Sequence, residues 1–210
     1  RFLKPRKVRG GSLLFLNKRS RIYRIPFGVI GIIAPWNYPL GIPMHEIVPA
    51  LLAGNTVIFK TAPETQMVGR KIEEMIQAAG LPADVFIHLN IPGAIIGQIL
   101  LEPDHHVDKL FFTGSVPVGK ILMAKAAETL TPVSLELGGN DPMLVCPDAH
   151  LERAVNGAMW AGLQNSGQSC GGVERIYVHA DVYDRFVEGF VENARGWTLG
   201  NPLDPATVVG

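Results

Sequence analysis

Cys170, set in Asn165-Ser166-Gly167-Gln168-Ser169-Cys170-Gly171-Gly172, has the residue type and the surroundings of a nucleophile. A thiolate adds readily to electrophilic carbon, and glycines on both sides permit positive φ angles and close backbone approach. A turn of this kind presents sulfur beside backbone N–H groups that face a substrate oxygen. The plain alternative is core filling, because free cysteines are among the most buried residues. Other polar residues also stand where chemistry is possible. Asn37 lies between Pro35 and Pro39, Lys60 closes an apolar run, Gly114-Ser115 precedes a helical pattern, and Glu136 precedes Gly138-Gly139. Read singly, Asn37 is a turn-former, Lys60 a snorkelling surface lysine, Ser115 a helix cap and Glu136 a salt-bridge partner. Trp36 read singly is a core anchor.

These residues are positioned by a regular alternation of short apolar strands and helices, the pattern of a parallel sheet covered on both faces. Strands are expected at Phe27–Ala34, Thr56–Lys60, Val85–Leu89, Lys109–Phe112 and Pro132–Leu137. Helices are expected between them, over Pro43–Leu52, on the face carrying Val68, Ile72, Met75, Ile76 and Ala79, around Ala94–Leu101, and from Val118 to Glu128. Gly54, and Gly80 with Pro82, end the first two helices. Beyond these, Pro142–Val145, a helix Leu151–Leu163, the Cys170 loop, a strand Arg175–His179 and a helix Val182–Ala194 open a second α/β unit. Near the N-terminus, Leu13–Leu16 and Arg21–Arg24 flank Asn17-Lys18-Arg19-Ser20 as a β-hairpin arm, and the basic stretch Arg1 to Arg9 reads as a solvated, mobile end.

In open α/β sheets, ligands bind beyond the carboxyl ends of the strands, and Pro35-Trp36-Asn37-Tyr38-Pro39, Lys60-Thr61-Ala62-Pro63-Glu64, Phe112-Thr113-Gly114-Ser115 and Glu136-Leu137-Gly138-Gly139 each follow a strand. Together with Gly167-Gln168-Ser169-Cys170, in this order, the segments resemble the aldehyde dehydrogenase superfamily over nearly the whole chain. The resemblance implies NAD(P)-dependent oxidation of an aldehyde to a carboxylic acid. Cys170 is then the nucleophile, and the oxyanion of its thiohemiacetal meets the Asn37 side-chain amide and the Cys170 backbone N–H. Glu136 matches the general base that hydrolyses the thioester, with partial burial expected to raise its pKa. Lys60 matches the residue that hydrogen-bonds the adenosine ribose. Gly114 and Ser115 match the cofactor-binding turn at a helix N-terminus, Trp36 flanks the cofactor, and Leu137 and Gly138 present backbone to the nicotinamide.

The chain departs from the family pattern at two places. Where an acidic residue often follows the lysine by three positions, this sequence has Pro63, with Glu64 next to it, so the choice between NAD and NADP stays open. Asn140-Asp141 replaces a Lys followed by Ser or Asn. The segment Glu-x-Phe-Gly-Pro, whose glutamate holds the nicotinamide ribose in relatives, does not occur, and Arg1 and Gly210 suggest a piece of something longer. The expected organisation is a hairpin and oligomerisation arm over 1–25, a Rossmann-like dinucleotide-binding domain over 26–138, and the first part of a catalytic domain over 139–210. Homodimers or homotetramers are expected of the parent protein.

Composition narrows the remaining classes. The 210 residues are 47% hydrophobic and 18% charged with zero formal net charge, which fits a globular fold and gives no basic patch for nucleic acid or an anionic membrane. The longest apolar runs are strand-sized, so no membrane segment is expected. Cys146 and Cys170 provide no disulfide framework and point to a reducing setting, cytoplasmic or in an organelle matrix; Cys146, in an apolar run, is expected in the core. His45-Glu46 lacks the second histidine of H-E-x-x-H, and His105-His106 lacks a ligand cluster, so no metal is expected. Two rivals are a CoA-acylating aldehyde dehydrogenase, against which Glu136 speaks, and a non-catalytic nucleotide-binding or structural piece of the same fold.

Overall fold

The computed structural model describes residues 3–8 and 17–210, and the chain divides into two compact units, Arg1–Glu136 and Leu137–Gly210. In the first unit, β1 (Arg6–Val8) and β2 (Ser20–Ile22) pair antiparallel, with Arg6 opposite Ile22 and Val8 opposite Ser20. Arg6–Val8 is thus a strand where a mobile end was expected, and the expected strand Leu13–Leu16 lies outside the described residues. The rest of the unit is β3 (Val29–Ile33), α1 (Gly41–Leu52), β4 (Thr56–Lys60), α2 (Gln66–Ala78), β5 (Phe86–Leu89), α3 (Gly93–Ile99), β6 (Lys109–Thr113), α4 (Val116–Ala127) and β7 (Val133–Glu136).

Five strands form one sheet in the order β5-β4-β3-β6-β7, every pair parallel. Parallel strands buried on both faces carry apolar residues continuously, and β3 does so. One face packs Ile30, Ile32, Val57 and Phe59 against Ile47 and Ala50 of α1 and Ile72 and Ile76 of α2. On the other face, a Cβ added to Gly31 would lie 3.1 Å from the side chains of Leu100 and Leu110. Gly97 of α3 meets Leu122 of α4 on that side. The expected α/β class, a parallel sheet with helices on both faces, is the observed one.

Side chains, not strand pairing, set where β3 begins. Asn55, buried at 5% exposure, accepts the N–H groups of Phe27 at 2.7 Å and Gly28 at 3.1 Å and donates to the Ala50 carbonyl at 2.9 Å. The Asp108 carboxylate accepts the Val29 N–H at 2.7 Å. The N–H groups of Phe27 and Gly28 are therefore taken by a side chain, although the Gly28 carbonyl accepts the Thr56 N–H at 2.9 Å, and the strand is shorter than the apolar run suggests. α4 starts at Val116, two residues earlier than expected, because Pro117 in its first turn has no N–H to leave unsatisfied.

The second unit consists of β8 (Asp141–Val145), α5 (Leu151–Leu163), β9 (Val173–Val178) and α6 (Ala180–Arg195). β8 and β9 pair in parallel, from Asp141 opposite Val173 to Val145 opposite Val178. Their inner side chains join Val155, Ala158, Val182 and Phe186 in a separate core. Strand alternation decides the fate of Cys146: Met143 and Val145 face that core, so Leu144 is 73% exposed and Cys146 is exposed too. The expectation of a core cysteine is corrected. No helix among the described residues is long and apolar enough to cross a membrane.

Candidate active site

Because the five strands of the first unit are parallel, their carboxyl ends share one edge, and the segments singled out in this part of the chain follow those ends. The register sets Ile33 beside Lys60 and Phe112, and Thr113 beside Glu136. Beyond Ile33 run Trp36 and Asn37; beyond Thr113 run Gly114 and Ser115. The order of the strands reverses at β3: β4 and β5 are added on one side of it, and β6 and β7 on the other. Such a switch point opens a crevice at the carboxyl edge where a dinucleotide fits.

Each side chain at this edge has a defined setting. Trp36 is 48% exposed, which removes the core-anchor reading. The Asn37 Oδ1 accepts the Tyr38 N–H at 3.1 Å, which fixes the orientation of the amide. Lys60 is 5% exposed and, among the described residues, its ammonium has no hydrogen bond or ion pair. Burial lowers its pKa from the ordinary lysine value, and the negative charge of Glu64 acts in the opposite sense. A buried cation that lacks a partner fits a polar ligand at that point, as a ribose hydroxyl would be. Lys60 is therefore not the solvated surface lysine of the plain reading.

Gly114 has a reason of its own. A Cβ there would come within 2.6 Å of the Phe112 ring, which packs back under the turn, so the turn into α4 needs glycine whatever it binds. Its N–H donates to the Glu136 carbonyl at 3.0 Å, tying the ends of β6 and β7 together. Ser115 occupies the N-cap position of α4, yet its side chain makes no capping bond. Glu136 is exposed, which corrects the expected partial burial of its carboxylate.

A residue passed over in the sequence has the more unusual environment. Glu46 of α1 shares the stripe of Pro43, Ile47 and Ala50, the buried residues of that helix. Its Oε2 is buried without a hydrogen-bond partner. Burial, with the nearby charge of Glu136 as the second cause, raises its pKa to about 7. The available signal was a carboxylate at an i, i+3, i+4, i+7 position, which a search for H-E-x-x-H does not register.

In the second unit, Leu137 and Gly138 precede β8 and the Cys170 loop precedes β9, so both lie at the amino edge of that parallel pair. Cys170 therefore sits before a strand, unlike the segments of the first unit. A Cβ on Gly139 would lie 3.3 Å from the Cys170 carbonyl, placing the two loops against each other. Cys170 is exposed. The loop turns through three successive left-handed residues, Asn165 (φ 52°), Ser166 (φ 58°) and Gly167 (φ 76°). Gly171 and Gly172 do not use positive φ, contrary to the permissive reading of the sequence. Two non-glycine residues in that region cost roughly 1–3 kcal/mol each, a form of strain that gathers at functional turns. Asn165 Nδ2 donates to the Gln168 carbonyl at 3.1 Å and holds the turn. Among the described residues, no group of three or more His, Cys, Asp and Glu is gathered to hold a metal ion.

Comparison with known proteins agrees with this architecture. The succinate semialdehyde dehydrogenase of Acinetobacter baylyi is 40% identical over 192 residues, 91% of this chain and 40% of that protein. A Mycobacterium avium protein named succinate-semialdehyde dehydrogenase [NADP(+)] is also 40% identical over 192 residues, with the same coverage. The crystal structure of an aldehyde dehydrogenase from Brucella melitensis biovar abortus 2308 superposes with a TM-score of 0.93 at 37% identity, covering 100% of this chain and 42% of that one. The chain thus spans about 40% of the length of the curated relatives it matches. The model of the aldehyde dehydrogenase family matches residues 4–210, and the chain belongs to that family.

Proposed function

We propose that the protein to which these residues belong oxidises an aldehyde to a carboxylic acid with NAD or NADP as hydride acceptor. The observation that carries this reading is the exposed Cys170 on a strained, glycine-containing turn in a chain of this family. Residues 26–138 are read as the dinucleotide-binding domain and 139–210 as the first part of the catalytic domain, with 1–25 as an arm used in oligomer formation. Relatives named for NADP(+) support the phosphorylated cofactor as one of the two alternatives.

Each residue has a role that its chemistry suits. The Cys170 thiolate adds to the aldehyde carbon, and the developing oxyanion takes hydrogen bonds from the Asn37 amide and the Cys170 N–H. When bound, the nicotinamide cofactor supplies the acceptor for the hydride leaving that carbon. Lys60 holds the adenosine ribose, Gly114 and Ser115 border the phosphates, Trp36 flanks the cofactor, and Leu137 and Gly138 offer backbone to it. Glu136 takes a proton from the water that attacks the Cys170 thioester, and the acid departs as sulfur regains its electron pair. Exposure of Glu136 suits exchange of that proton with solvent.

Mass spectrometry after mixing protein, cofactor and aldehyde tests the reading. An acyl group is expected on Cys170, lost in Cys170→Ala and retained in Cys146→Ser. Acylation of Cys146, or acid formation undiminished by Cys170→Ala, overturns it. Product analysis with and without CoA separates hydrolysis from acyl transfer to the thiol.

A further inference from the structure

Arg175 of β9 has no part in the chemistry above, yet it joins the two loops of the second unit that do. Pro142, the second residue of β8, has no N–H, and the register shifts beside it: Asp141 pairs with Val173 and Pro142 with Arg175, so Glu174 is an extra residue on β9. The ladder is interrupted where the Leu137–Asn140 segment and the Cys170 loop enter it. A side chain makes good the loss. Arg175 donates from Nε at 3.2 Å and from Nη2 at 2.6 Å to the Asn140 carbonyl. Met143, Val145, Ile176 and Val178 face the core of the unit, so Arg175 stands on the opposite face of the pair, across from Pro142. The two segments also touch directly. A Cβ on Gly139 would lie 2.7 Å from Asp141 Oδ1 and 3.3 Å from the Cys170 carbonyl, and one on Gly171 would lie 3.9 Å from Asp141 Oδ2. The Gly172 N–H donates to the Ser169 carbonyl at 3.2 Å, so Cys170 rides on a turn that passes straight into β9.

We propose that Arg175 is a positioning residue: by holding the Asn140 carbonyl it fixes the spacing between the Leu137–Asn140 segment and the turn that carries Cys170. The inference rests on the reading of Cys170 as nucleophile and of Leu137 and Gly138 as backbone offered to the cofactor. Sulfur adds to the same carbon from which hydride leaves, so thiolate and hydride acceptor must be placed relative to one another, and these two loops are their supports. An arginine suits that task. Its planar guanidinium stays charged and offers donors in a fixed fork, so two N–H groups on one carbonyl restrict direction as well as distance, whereas a lysine ammonium makes a rotatable point contact. Arg175 itself touches neither substrate nor cofactor, and no proton moves through it.

The test uses the whole protein to which these residues belong, as wild type, Arg175→Met, Arg175→Lys and Gly139→Ala, with propanal, benzaldehyde and glyoxylate as probe aldehydes. Stopped-flow absorbance of the reduced dinucleotide in the first turnover gives a rate constant for hydride loss and an amplitude for the fraction of competent sites. A misplacement of about 1 Å slows such a step about 100-fold, so Arg175→Met is expected to lose about that much in rate constant while the amplitude per folded protein and the dinucleotide Kd hold. Arg175→Lys is expected to recover part of the rate. A merely structural arginine would lower the amplitude and the urea midpoint and spare the rate constant, and that result overturns the proposal. Gly139→Ala disturbs the same spacing with Arg175 in place, because its methyl group presses on the Cys170 carbonyl; a wild-type rate constant in this variant also overturns the proposal, whether or not Arg175→Met folds. Mass spectrometry of the wild type tells two failures apart. Without an acyl group on Cys170 the reading of the nucleophile falls and takes the inference with it, whereas an acylated Cys170 with unaltered rate constants in the variants removes the inference alone.

Discussion

Replacing Lys60 with methionine separates what the residue does for folding from what it does for binding. The residue is 5% exposed, and its ammonium has no hydrogen-bond partner among the described residues. A methionine keeps most of the aliphatic stem and removes the charge. Exchanging a buried, unpartnered ionised group for an apolar one of similar length is neutral or stabilising, here expected at about 1 kcal/mol. A charge-assisted hydrogen bond to a ribose hydroxyl contributes about 2 kcal/mol, so dinucleotide affinity should fall roughly 30-fold. The two effects have opposite signs, which few structural side chains produce. Urea denaturation reports the first, and calorimetric titration with NAD and NADP reports the second. The pH dependence of stability gives a further check. With the folded pKa below the ordinary lysine value, the unfolded chain binds more protons between those two values, so stability rises with pH through that window. In Lys60→Met that rise should vanish. A variant that binds both dinucleotides like the wild type, or that loses more than about 1 kcal/mol of stability, would refute the reasoning, because the ammonium would then be a structural group.

Three further outcomes are expected. Asn55→Ala strips acceptors from the N–H groups of Phe27 and Gly28 and a donor from the Ala50 carbonyl, so urea denaturation should show a loss of about 2–3 kcal/mol without any change in thiol reactivity. Gly114→Ala places a methyl group against the Phe112 ring, itself only 5% exposed, and should lower stability by about 1–3 kcal/mol in the same assay even without cofactor. Glu46 titrates near 7 when folded and near 4.5 when unfolded, so its ionisation removes stability as pH rises between those values, by up to about 3 kcal/mol. Glu46→Gln should therefore match the wild type at about pH 5 and exceed it at about pH 8, and a constant difference between the two pH values would contradict the assignment.

Local punctuation carried some of these elements into the sequence intact, and long-range packing hid others. β4 and α5 have the boundaries expected from their apolar patterns, Thr56–Lys60 and Leu151–Leu163, because a glycine or a proline-containing segment delimits each. β3 does not, since its first residues are claimed by Asn55 and Asp108, which lie 27 or more positions away. The strand Arg6–Val8 was illegible for the same reason: its partner is Ser20–Ile22, and nothing local in a basic stretch marks a strand. The class of the fold followed from alternation, whereas the order β5-β4-β3-β6-β7 depends on which crossover turns which way. At the candidate site, residue types were readable and their environments were not. The freedom of Gly171 and Gly172 was visible, yet the turn spends its positive φ on Asn165 and Ser166. Cys146 was misplaced by a single step of strand parity.

Lys60 and Glu46 share a property that local pattern alone disfavours. Each is an ionisable residue largely withdrawn from water, Glu46 with one carboxylate oxygen buried and unpartnered, and each has its pKa moved toward the neutral form. A sequence selected for stability alone would place methionine at one position and leucine or glutamine at the other, since the α1 stripe of Pro43, Ile47 and Ala50 is apolar and Lys60 closes a mostly apolar strand. Folding tolerates the two because the sheet beneath them is closed on both faces by cores that include Phe59, Ile32 and Ile47, all at 0% exposure. The cation and the acid differ in what relieves them. A ligand oxygen satisfies the lysine, so its penalty should disappear on binding, whereas the glutamate is relieved by a proton and should respond to pH whether or not a ligand is bound. Measured together, the stabilisation of the wild type by dinucleotide should exceed that of Lys60→Met at every pH, while the deficit of the wild type against Glu46→Gln should depend on pH and not on dinucleotide. If dinucleotide removed the Glu46 deficit instead, that carboxyl group would belong to the binding surface.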